Sequence, residues 1–416
     1  MKLTGVSENI YSFVNEFNII EKSSKKLNND TIHIFTHLYE IILESYKYFS
    51  KMKENNAIKY KITKYEKPTQ VRKPITFDDA SFPIDILNII NTTSSCEICY
   101  SFTILNKTIN IYFILNGSYK KIKKEKYDTY SEFIIIWLFI AIKYAEKDCS
   151  DNYSIYLYFT NHSKILPIDK KIIIDQIHVN TAFTRACNSP GEIVVFRKEE
   201  WFKVFIHETF HTFNLDFSNM YFNETKKHIQ QIFNIDTKID LFEAYTEFWA
   251  LIIHTIFCSF YLIQDKDNIN LFLKTAANLI YIERSYSFFQ MVKILDYMGI
   301  KYNNLHSTDN RSVTLKDMCY KDKTNVLCYY IIKLVLLDNY QDFFMWCLEN
   351  NINLLMFNID EKKNQLKFVN FIEAHYKTNI FLSRVKKSEL LFKRLKLTNA
   401  SYLLKNTRMS AIELNK

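Results

Sequence analysis

The chain has 416 residues, 48% of them hydrophobic, which is enough apolar material for a sizeable core and for two or three lobes. Its 54 lysines and arginines against 45 acidic residues give a net charge of +9, a mild excess that falls short of a nucleic-acid signature and reads as a solvated basic surface. With only four glycines there is no phosphate-cradling loop and no dinucleotide fingerprint, which argues against nucleotide-dependent chemistry.

The N-terminus, MKLTGVSENIYSFVNEF, lacks the apolar core and small-residue cleavage site of a secretory signal. Residues 7–54 carry helical spacing in two stretches and run into a basic stretch, 51–73, before Pro74; we read 1–75 as an N-terminal helical region with a basic linker. Cys96 and Cys99 form one CxxC, but no second pair lies at zinc-knuckle spacing, so no metal or redox role is expected of them. Two β-favouring runs, 98–105 and 108–115, are separated by Asn106-Lys107 and closed by Asn116-Gly117, the pattern of a hairpin followed by a further turn.

An apolar helix is expected at about 131–147 and a strand at 154–160. The turn Asn188-Ser189-Pro190-Gly191 launches a short strand at 193–196, our candidate for the sheet edge that would accept an extended peptide. A helix follows at 199–214, with Glu199 and Glu200 at its positive end. Together these make 76–217 a sheet-containing lobe.

A polar stretch, 218–237, leads to a helix at 239–263; from 270 the chain is mostly helical, with a polar interruption at 303–324 and a basic end. We read 218–416 as a helical lobe. The apolar runs 133–142 and 248–263 are shorter than the roughly 20 residues that cross a bilayer, so both are expected to be buried helices and no membrane span is expected.

The chemistry concentrates at His207-Glu208-Thr209-Phe210-His211. Histidines four apart on a helix project from one face and can share one tetrahedral ion, and a glutamate beside them is placed to take a proton from water. A zinc site needs a third protein ligand, and Glu243-Ala244-Tyr245-Thr246-Glu247 offers two carboxylates one turn apart on an otherwise apolar helix, costly to bury without compensation. We assign Glu243 as ligand and Glu247 as acceptor for a ligand histidine N–H; the reverse assignment stays open. Asp216, five past His211, can hydrogen-bond a ligand or cap the motif helix, and the cap is the preferred reading. His254 is a candidate cleft residue, and Tyr329 and Tyr330 are candidate oxyanion or substrate contacts, though each also suits a core position.

The run Val204-Phe205-Ile206-His207-Glu208-Thr209-Phe210-His211, with Glu243 and Glu247 on a later helix, resembles the gluzincin group of zinc metallopeptidases. The resemblance spans about 97–262 and leaves both outer thirds unmatched. It departs from many members in having Glu247 where they carry aspartate, and the extended third-histidine pattern of metzincins is absent. It implies an α+β, zincin-like fold in which a mixed-sheet lobe with the HExxH helix faces a mainly helical lobe. It also implies one Zn2+ held by His207, His211 and Glu243, Glu208 as general base, and a peptide or protein substrate.

The competing expectation is a non-enzymatic structural or virion protein retaining a degenerate zincin fold; a metal-dependent hydrolase of non-peptide substrates is a third. Eight scattered cysteines without a disulfide framework fit a reducing, intracellular and cytoplasmic setting, with packaging in a virion as one variant. The abundance of Ile, Asn, Lys, Phe and Tyr reads as an AT-rich coding genome, compatible with a large DNA virus or an intracellular parasite.

Overall fold

In the computed structural model, which describes residues 1–117, 122–145, 148–220, 223–361, 363–397 and 401–415, eight strands form. β1 (Lys2–Leu3) and β8 (Leu414–Asn415) pair with each other. The other six, β2 (Lys59–Lys64), β3 (Ser94–Ile104), β4 (Lys107–Asn116), β5 (Asn152–Thr160), β6 (Ala182–Thr184) and β7 (Gly191–Arg197), form one mixed sheet in the order β2-β3-β4-β5-β7-β6. β5 runs parallel to β4 and to β7, and the remaining pairings are antiparallel. The chain divides into two compact units: a sheet unit of His37–Ser163 and Asn180–Asp216, and a helical unit of Met1–Thr36, Lys164–Val179 and Phe217–Asn415.

In the sheet unit the hairpin forms as its sequence requires, with Ile104 opposite Lys107. The turn is Leu105-Asn106, one residue earlier than the pattern indicates. Both residues have positive φ, 47° and 68°, which matches the right-handed strand twist in a two-residue hairpin loop. The stretch read as a basic linker contains β2, an edge strand whose lysines are tolerated because its outer side faces no further strand. Helix Ile84–Thr93 is likewise absent from the sequence reading. Helix Lys124–Tyr144 begins ahead of its apolar run, and positions 146 and 147, its expected end, lie outside the described residues.

One expectation is overturned by the strand order. Residues 193–196 belong to β7, which lies between β5 and β6 and is buried along its whole length, so they are no edge. Their continuous apolar run is what a strand covered on both faces requires. The sheet ends at β2 and β6. The one carboxylate on β7, Glu192, is buried and satisfied: it accepts from the Ile75 and Thr76 backbone N–H groups, from the Thr76 hydroxyl and from the Tyr156 hydroxyl. A disulfide, Cys149–Cys187, joins the segments ahead of β5 and β7, a pairing that sequence spacing did not single out. Cys96 and Cys99 stand an odd number of residues apart on β3, so they point to opposite faces, and both are free thiols.

The helical unit is built round helices Leu241–Leu262 and Ile269–Tyr297. The first has 22 residues and is long and apolar enough to cross a membrane by length and composition, in contrast to the shorter run read from sequence; 89% of its most apolar window is buried inside the protein, which accounts for that apolarity. The polar interruption at 303–324 holds short helices, Tyr302–His306 and Asn310–Cys319, the second capped by Asp309, whose carboxylate accepts from the Ser312 N–H at 3.0 Å. The segment 406–412 is buried throughout. It is held by the Glu283 carboxylate, which accepts from the Ser410 hydroxyl and the Ala411 and Ile412 N–H groups at 2.7–2.9 Å.

Candidate metal centre

The motif helix, Trp201–Thr212, is buried at every position. Such a helix needs its polar side chains satisfied, and the side away from the motif histidines supplies the anchors. The Trp137 indole N–H donates to the Thr209 hydroxyl at 2.7 Å while its ring stacks on Phe210. The Thr209 hydroxyl donates to the Ile206 carbonyl, and Thr212 donates to the Glu208 carbonyl at 2.8 Å. Thr184 of β6 meets the Thr212 hydroxyl at 3.0 Å. These contacts lock the helix's rotation and hence the direction in which His207, Glu208 and His211 project.

The helix ends in a Schellman turn. Asn214 takes the left-handed conformation, φ 55°, its N–H donating to the His211 carbonyl, while the Leu215 N–H reaches back to the Phe210 carbonyl at 2.8 Å. The chain therefore reverses, and Asp216, fully buried, meets His211 Nδ1 through a carboxylate oxygen. Of the two readings open to Asp216 the preferred one, the cap, is corrected: the backbone of Asn214 and Leu215 ends the helix, and Asp216 bonds to the histidine. A carboxylate can only accept, so Nδ1 carries the proton and the Nε2 lone pair is left for another partner. Its Nε2 lies 3.1 Å from His207 Nε2.

The glutamates sit on helix Leu241–Leu262, with Glu243 in the first turn, where the helix dipole favours a carboxylate. The rotation of this helix is set by Tyr245, whose hydroxyl donates to the Leu355 carbonyl and accepts from the Asn351 side chain, and by Trp249 stacked on Phe344. Asp240, ahead of it, is held by Lys238 and Asn325.

His207, His211 and Glu243 each offer one ligand atom, and these atoms all lie within 4.8 Å of one another. Two imidazoles on one tetrahedral zinc, with bonds of about 2.0–2.1 Å, hold their nitrogens about 3.4 Å apart, close to the separation found. Two imidazoles, one oriented by a buried carboxylate, and one glutamate are a donor set that fits a zinc ion. Glu247 is buried one turn beyond Glu243 and lies outside that group of ligand atoms, and Glu208 is buried beside the histidines.

The remaining sequence candidates are buried in the helical unit. Tyr329 and Tyr330 lie on a π-helical turn, Leu327–Ile332, and both are buried. The Tyr330 hydroxyl donates to the Thr407 carbonyl at 2.6 Å. His254 is buried, with Nε2 3.6 Å from Cys258 Sγ one turn on. Compared with family models, with curated proteins and with solved structures, the chain has no match.

Proposed function

We propose that this protein is a zinc-dependent metallopeptidase. The observation that carries the reading is the His207, His211 and Glu243 group, with Asp216 orienting one of the two imidazoles. His207 and His211 would hold one zinc through their imidazoles and Glu243 would hold it through its carboxylate. When bound, the ion supplies Lewis-acid polarisation of the substrate carbonyl and lowers the pKa of water at the site. Glu208, next to a ligand and on the same helix, takes the proton from the attacking water and passes it to the leaving amine. Glu247 acts as a buried acceptor that supports the ligand set. The gluzincin resemblance supports this division of roles, and a peptide is the substrate class it implies.

The test uses the purified full chain. Elemental analysis is expected to find one zinc per chain, lost in His207→Ala and His211→Ala. Glu208→Gln is expected to keep its zinc and lose cleavage of a peptide library. A chain that binds no zinc, or one whose Glu208→Gln variant cleaves as well as the parent, overturns the reading. Stoichiometric zinc with no cleavage by the parent favours the non-enzymatic alternative.

A further inference from the structure

Within the helical unit, a second feature has chemistry of another kind. Helices Ile269–Tyr297 and Asn379–Lys396 pack together, and beside their contact lies a cavity of about 390 Å³, within the roughly 300–1,000 Å³ typical of small-ligand sites. Its floor is apolar: Val292, Leu295, Ile300 and Phe392 line it and are otherwise buried in the core. Four lysines stand round it, Lys301, Lys386, Lys393 and Lys396, against two acids, Asp296 and Glu389. Asp296 is taken up by Lys396.

Lys386 and Lys393 are different. They lie seven apart on Asn379–Lys396, two turns along the same exposed face, and among the described residues neither has an acidic partner. Between them Leu390 is 54% exposed, an apolar side chain left in water at the cavity mouth. An apolar floor that opens between two unpaired ammonium groups complements a molecule with an alkyl body and an anionic head. A nucleobase is disfavoured, because the aromatic rings lining the cavity, Phe392 and Tyr302, are buried and present no free face for stacking.

We infer that this cavity binds an anionic amphiphile, a carboxylate or phosphate head on a short alkyl chain, with the chain on the Val292, Leu295 and Phe392 floor and the head between Lys386 and Lys393. Glu389 opposes the head: burial pushes its carboxyl up, with Lys301 acting the other way, and its charged form disfavours an anion beside it.

The inference is independent of the metal centre, and calorimetry on the full chain tests it without reference to peptidase activity. Sodium dodecanoate, held below its micelle-forming concentration, is expected to bind one per chain. Lys386→Ala with Lys393→Ala is expected to weaken it on the order of tenfold or more. Glu389→Gln is expected to tighten it by a few-fold, a gain that misfolding does not produce. Inorganic phosphate alone and uncharged dodecanol are both expected to bind far more weakly. Three results overturn the proposal: dodecanoate affinity unchanged in the double-lysine variant, inorganic phosphate binding as tightly as dodecanoate, or binding only to vesicles containing phosphatidylglycerol and never to the monomer, which would place the lysines on an adsorbing surface.

Discussion

Asp216 lies only five residues past His211, yet on a continuing helix it would face well away from that ring; the left-handed residue Asn214 brings it back. Carboxylates that orient a ligand histidine commonly affect metal affinity by about 10–100-fold. Asp216→Ala is therefore expected to weaken zinc binding by about that factor in competition with a chromogenic chelator, and unchanged affinity would remove Asp216 from the centre. Asp322 invites a different measurement. Burial raises its carboxyl from 3.8 to about 6, against the lowering effect of the Thr237 hydroxyl and the Thr324 N–H. Between about pH 4 and 6 the folded state keeps a proton that the unfolded chain releases, so the charged form costs stability above that window and the cost disappears as pH falls through it. The magnitude is about 2–3 kcal/mol. Unfolding free energies from pH 7 to pH 4 should show the parent gaining that much on Asp322→Asn, whereas parallel curves would show that Asp322 is not the group responsible.

Elements differ in how openly the sequence declares them. The hairpin at 94–116, the apolar helix Lys124–Tyr144 and the motif helix were legible because local periodicity and burial agree. β2 was hidden because an edge strand needs no apolar outer face, so its lysines looked like a linker. β7 was legible as a strand but not by position: an apolar run declares burial, and neighbours are chosen by tertiary packing. The coupling between helices Lys124–Tyr144 and Trp201–Thr212 is of this second kind, since nothing local links Trp137 to Thr209. Trp137→Phe removes that donor and some volume from a fully buried site, and we expect a loss of about 2 kcal/mol in chemical denaturation. Zinc affinity should change less than in Asp216→Ala, because both ligand histidines remain; the opposite ranking would show that helix anchoring outweighs histidine orientation.

For the molecule as a whole, the polar groups threaded through the helical unit matter as much as its apolar core. Glu283 and Tyr286 on one helix bond to residues of 406–412, the Gln290 side-chain NH2 donates to Asn406 and to the Arg408 carbonyl, and the Tyr330 hydroxyl donates to Thr407. Deleting 406–415 would leave the Glu283 carboxylate buried without those three donors, a cost of about 3–5 kcal/mol before lost packing is counted. Hydrogen exchange should then show helix Ile269–Tyr297 losing protection, and a truncated chain as protected and heat-resistant as the parent would contradict this account. By itself the sequence determined the α+β class, the buried apolar helices and the two histidines one turn apart, because each follows from local spacing on a regular backbone. Only the tertiary structure brings the Glu243 carboxylate within 4.8 Å of ligand atoms on those histidines, turns Asp216 back onto one of them, and makes β7 interior. These depend on chain reversal and on packing between segments distant in sequence, which no local pattern encodes.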